Sequence, residues 1–169
     1  PTDTFYGMRR EFAVNGDGVE LRHLPNAHTD GDTIVHFRRA DVIAVGDLFS
    51  TESYPVIDIE RGGSVQGLIA ALNTVVELAI PEGDHEGGTM IVPSYGYLAD
   101  EFDVAEVRDM LAIVRDRVQD MLDRGLSRRE IHAARPTFDW DARYGAESGE
   151  WTTAMFVDAV ITSLTGDAR

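Results

Sequence analysis

The sequence predicts an α/β domain, a small mixed sheet with helices packed on one of its faces. Three observations predict it. Short strand-type runs separated by turn residues fill the first fifty positions. Apolar residues recur every three or four positions through most of the second half. Between these regions a helical stripe is followed by one more short apolar run, giving the order hairpin, hairpin, α, β, α, α, α.

The elements follow in turn. Residues 4–14 (TFYGMRREFAV) and 18–24 (GVELRHL) read as strands joined by NGDG, Asn15–Gly18. Asn-Gly is a strong hairpin signal, because both residues tolerate positive φ. The loop 25–32 (PNAHTDGD) leads into TIVHF (33–37) and VIAVG (42–46). Val42 to Val45 are all apolar, which predicts a strand covered on both faces. The polar segment 50–63 ends at Ser64, a good N-cap for a helix over 64–80. Leu68, Leu72, Val75, Val76 and Ala79 make its apolar stripe, and Pro81 and Gly83 stop it. TMIVP (89–93) reads as a short buried strand.

The part from 103 to 169 is helical. Val104, Val107, Met110, Leu111, Val114, Val118, Met121 and Leu122 recur at helical spacing, and Gly125 is placed as the C-terminal cap. Ser127 followed by Glu130 forms a capping box. RPTFDWDARYG reads as an irregular connection. A last helix, roughly 150–164, buries Trp151, Met155, Val157, Val160, Ile161 and Leu164 by pattern. The 169 residues suit a single domain.

Composition narrows the function. The chain is 43% hydrophobic and 27% charged, enough for a real core. The net charge of −15 argues against nucleic acid and anionic membrane surfaces. With no cysteine, disulfides, thiolate nucleophiles and iron–sulfur clusters are excluded. Any metal must be held by His, Asp, Glu or Tyr. No apolar run reaches the ~18 residues of a membrane span, and no signal segment opens the chain, so the expected location is the cytoplasm. Pro1 fits removal of an initiator Met and fits a cropped chain equally well.

Four segments, in order and spacing, carry a likeness: HLPNAHTDGDTIVHF, DVIAVGDLF, YPVIDIERGGSVQGLIAAL and MIVPSYGYLAD. Together they resemble the C-terminal half of a metallo-β-lactamase-fold hydrolase, over roughly residues 18–135. H-T-D-G-D and V-G-D-L-F are specific as a pair and weak alone. The resemblance implies half of an αββα sandwich. It also implies zinc, with His28 and Asp47 as metal ligands. The family's H-x-H-x-D-H loop, which brings most ligands and the metal-activated water, is absent from this sequence. Where the family has P-G-H-G, this chain reads Pro93-Ser94-Tyr95-Gly96. Tyr95 is a substituted ligand position, and a phenol ionises only near pH ~10.

The residue chemistry is compatible with the first two assignments. His28 lies on a loop before a strand, and Asp47 follows a buried strand with a hard oxygen. Thr29, Asp30 and Asp32 are placed to orient the histidine. The alternatives are a loop histidine with hydrogen bonds only, a turn aspartate and a structural tyrosine. His23, His36 and His132 read as surface or core residues, and His85 as a loop residue or a surrogate ligand. RGGS reads as a turn and helix cap, because no basic residue stands at phosphate-loop spacing. The acidic residues of 100–109 read as a solvated helix face.

Several strands are apolar on both sides, while the legible helices cover one. An apolar sheet face left open marks an interface. The expected partners are therefore a small-molecule substrate if the chain is active, and a homodimer mate or complementing half-domain on the sheet. The function expected from the resemblance is metal-dependent hydrolysis of an ester-, thioester- or lactone-type substrate, incomplete in this chain alone. The alternatives are a non-catalytic module that pairs through its sheet and a sequence cut from a longer enzyme.

Overall fold

A computed structural model describes residues 4, 6–81, 83 and 87–166. Pro1 and His85 lie outside the described residues. The elements are β1 (Arg9–Val14), β2 (Asp17–His23), β3 (Thr33–Phe37), β4 (Val42–Ser50), α1 (Val65–Leu78), β5 (Met90–Tyr95), α2 (Glu101–Asp123), α3 (Arg128–Ala134), α4 (Asp141–Tyr144) and α5 (Thr153–Thr165). They make a five-stranded mixed sheet in sequence order. β1 to β4 pair antiparallel, and β4 pairs parallel with β5 through the α1 crossover.

The local devices explain the elements. Val14 pairs with Asp17, so the first hairpin turns on Asn15 and Gly16, at φ 51° and 81°. Both central residues need positive φ in this turn type. The Ser64 hydroxyl accepts from Gly67 N–H and starts α1. Asp100 and Asp103 form a capping box at the start of α2, as Ser127 and Glu130 do for α3. Gly125, at φ 79°, ends α2: its N–H bonds Leu122 O, and the Leu126 N–H bonds Met121 O. That pair of bonds is a Schellman motif.

Registry sorts the sheet residues onto two faces. Ile34, Ile43, Val45 and Ile91 point to the helices and are at most 1% exposed. α1 packs on β4 and on α2, and α5 closes against both helices. The other face carries the aligned row Phe12, Val19, Phe37, Val42 and Met90. Phe12, Phe37 and Met90 remain 36–45% exposed. The helices therefore cover one face, as the pattern implied. Val42 and Ala44, read as covered, are only half-buried because they belong to the open face.

Several elements differ from the sequence reading. β1 is shorter than 4–14, and β4 runs on to Ser50, so Asp47 lies within the strand rather than after it. The connection 135–145 contains the short helix α4. α5 begins at Thr153 with Thr152 as cap, which turns Phe156 inward and Met155 outward. Trp151 precedes the helix, so its four-residue spacing to Met155 is not a helical repeat.

Candidate functional site

Three predicted positions converge at one end of the sheet. His28 sits on the loop after β2, Asp47 near the end of β4 and Tyr95 at the end of β5. These strands run parallel to one another, so their C-terminal ends share one edge, the usual binding edge of α/β sheets. All three residues line one cavity of about 400 Å³.

Each is positioned by a specific local feature. The β4–β5 pairing shifts register on both sides of Gly46, which adopts φ 59°. Such an irregularity re-aims the side chains beside it. Asp47 is exposed although its neighbour Leu48 is fully buried. His28 is half-buried, with Nδ1 2.9 Å from the Val56 carbonyl oxygen. A carbonyl only accepts, so Nδ1 carries the proton and the neutral ring keeps its Nε2 lone pair. Nε2 has no hydrogen-bond partner among the described residues. Tyr95 is 72% exposed.

The three residues expected to orient His28 shape its loop instead. Asp32 Oδ2 accepts the Thr29 N–H at 2.7 Å, and Thr29 Oγ1 accepts the Gly31 N–H at 3.1 Å. The Asp30 carbonyl meets His23 Nε2 at 2.5 Å. Their side chains do not bond the imidazole; the Val56 carbonyl holds it.

The sequence reading missed Glu150, Trp151, Ser50 and Ser53, which also line this cavity. Glu150 adds a second carboxylate from more than a hundred residues away, and no local pattern marks it. Ser50 is buried, and its Oγ accepts from the Glu52 and Ser53 N–H groups.

Tyr54 also lines this cavity; it is almost wholly buried and stacks on Phe156 with ring centres 4.5 Å apart. Its hydroxyl donates toward Thr137 O and Asp141 Oδ1. Burial, reinforced by Asp141, pushes the phenol well above its ordinary range. Burial likewise raises Tyr144 to about 12. The Tyr54 hydroxyl is committed to its two acceptors, whereas the Tyr144 hydroxyl is buried with no hydrogen-bond partner among the described residues.

Zinc sites take at least three protein donors. No group of three His, Asp or Glu side chains among the described residues is arranged to share an ion. His28 and Asp47 line one cavity, and among the described residues no third such side chain is grouped with them to complete a zinc site.

No family model matches the chain, and no curated protein is similar to it. Among solved structures it is similar to the stereoselective inverting sec-alkylsulfatase Pisa1 from Pseudomonas sp., with TM-score 0.64 and 14% identity. The likeness covers 96% of this chain and 26% of that one. A double mutant of that sulfatase gives a TM-score of 0.66 at the same identity and coverage. The chain has part of a metallo-β-lactamase fold. A metallo-β-lactamase from Pontibacter korlensis aligns over 63% of this chain and 47% of its own, with TM-score 0.49 and 15% identity. The chain thus spans about a quarter of the sulfatase's length, and at 14% identity the fold of that part is what the likeness shows. No helix among the described residues is long and apolar enough to cross a membrane.

Proposed function

We propose that this chain contributes one half of a metal-dependent hydrolase site. His28 and Asp47 are its donors, and a complementing layer on the open sheet face brings the rest. The observation that carries this reading is the meeting of His28, Asp47 and Tyr95 in one cavity, although they are far apart in the sequence. His28 is bonded through Nδ1, which reserves Nε2 for an ion. Asp47 adds a carboxylate beside it. Zinc, when bound by the completed set, supplies a hydroxide at neutral pH. The substrate class is a small ester, thioester or lactone; the neighbour's alkylsulfatase activity supports an ester-type bond. Without that layer, a second copy of the chain takes the open face.

The test is a zinc titration of the purified chain, read by NMR at the His28 ring and the Asp47 amide. The expected result is saturable perturbation of both in the wild type, with the Asp47 response lost in His28→Ala while the thermal midpoint stays put. Equal responses in the two proteins would overturn the assignment.

A second reading is a non-catalytic module that pairs through its sheet. Tyr95 favours it, standing 72% exposed where the family resemblance puts an imidazole. Pairing that is unaffected by chelator, together with no response to zinc, would select this reading.

A further inference from the structure

The segment RGGS, residues 61–64, does more than turn the chain and cap α1. It lies against the loop that carries His28, and the approach leaves no room for a side chain. A Cβ built on Gly63 would stand 2.1 Å from His28 O and 2.9 Å from Asp58 O. A Cβ on Gly67 would stand 1.8 Å from Asn26 O. Neither glycine is among those at positive φ, so space rather than backbone conformation demands glycine at both.

The same contact is dense in hydrogen bonds. Asp58 N–H donates to His28 O at 2.9 Å, and Gly63 N–H to Asp58 O at 2.8 Å. Ser64 donates its N–H to Asn26 O and Ala27 O, and its hydroxyl to Asn26 O. Asp30 N–H reaches Arg61 O, and Asn26 Nδ2 reaches Gly62 O. Both flanks of His28 are thereby pinned to one turn. Val56, whose carbonyl holds the ring, lies two residues before Asp58 in the same segment.

We propose that Gly63 and Gly67 are positioning residues for His28. By allowing the start of α1 to close on the loop, they hold the imidazole against Val56 O. That contact fixes the Nδ1–H tautomer and leaves Nε2 as the free nitrogen at the cavity. The assignment rests on reading His28 as the donor at this site. A glycine pair at spacing four is thus a tautomer-setting device, not a phosphate loop.

The test uses ¹⁵N chemical shifts of the His28 ring, measured without metal at a pH where the imidazole is neutral. In the wild-type chain Nδ1 is expected in the protonated range and Nε2 in the bare range. In Gly63→Ala the separation of the two resonances should fall by about half or more. Gly83→Ala, where an added Cβ meets nothing within 4 Å, should leave it unchanged.

If circular dichroism shows Gly63→Ala unfolded, Ser64→Ala decides. Ser64→Ala removes one bond to the loop together with a helix cap, and is expected to narrow the separation. Ser127→Ala removes the cap of α3, away from the loop, and is expected not to. A wild-type ring protonated on Nε2 would overturn the proposal. So would a folded Gly63→Ala with the wild-type signature, or equal effects of the two cap variants. Zinc plays no part in this readout, so a failed zinc titration sinks the hydrolase reading and leaves this one standing.

Discussion

The two faces of the sheet are built by the same strands and differ in what covers them. On the helix side Ile34, Ile43 and Ile91 are fully buried. On the other side Phe12 is 41% exposed, Phe37 36% and Met90 45%. Alternate residues of one strand thus serve a finished core and an unfinished one. Even the helix side is unfinished over β1 and β2, where Glu20 is 2% exposed. There Arg9, Arg22 and Arg38 surround the carboxylate at 3.0, 2.6 and 2.7 Å. On the helix side the core is complete where helices reach and ion pairs cap its margin, while apolar side chains of the other face stay partly exposed.

The largest effect that would break this contrast is in the core. Ile43→Ala should lower the unfolding free energy by about 3 kcal/mol, measured by urea denaturation. Phe12→Ala on the open face should cost about 1 kcal/mol or less in the same assay. Equal costs would mean that both faces are packed alike.

Next comes Glu20→Gln, expected to cost about 2 kcal/mol, because the arginines keep their charge and lose its partner. Burial raises the Glu20 pKa, and hydrogen bonds from Arg38 and Arg22 outweigh that, so its net pKa is below the ordinary 4.5. A carboxyl with a lowered folded pKa stabilises the fold above the unfolded value and loses that stability as pH falls through the folded one. Stability should therefore drop below about pH 4.5 in the wild type and drop less in Glu20→Gln.

Smaller again, Tyr54→Phe removes the hydroxyl shared by Thr137 O and Asp141, for about 1.5 kcal/mol. Below that, at about 1 kcal/mol, comes Gly125→Ala, which forces a side chain into the left-handed cap of α2. Both are read from thermal midpoints.

Much of the fold was legible because its signals are local. Asn15-Gly16 announced the hairpin, Ser64 and the Ser127–Glu130 box announced helix starts, and Gly125 announced an end. The apolar stripe of α2 buried the residues it named from Val104 to Val118. The open face was legible from two-sided apolar strands that outnumber the helices able to cover them, although Val42 and Ala44 themselves were read as covered.

The site was legible only as far as side chains carry it. His28, Asp47 and Tyr95 were found through the family resemblance, but the group that holds His28 is the Val56 carbonyl, which every residue type could supply. Glu150 reaches the cavity through the tertiary path of α4 and α5, which no local pattern reports. Gly46 looked like the end of a strand because glycine commonly ends one. Here it bends a strand that continues. The inward turn of Phe156 was missed because Trp151, outside the helix, set the wrong phase.

Sedimentation velocity over a concentration series tests the unfinished face most directly. The isolated chain should pass from monomer to dimer as concentration rises, and Phe37→Asp should stay monomeric with its circular dichroism intact. A wild-type chain that remains a monomer throughout, or a Phe37→Asp variant that dimerises as well as it does, would contradict the account.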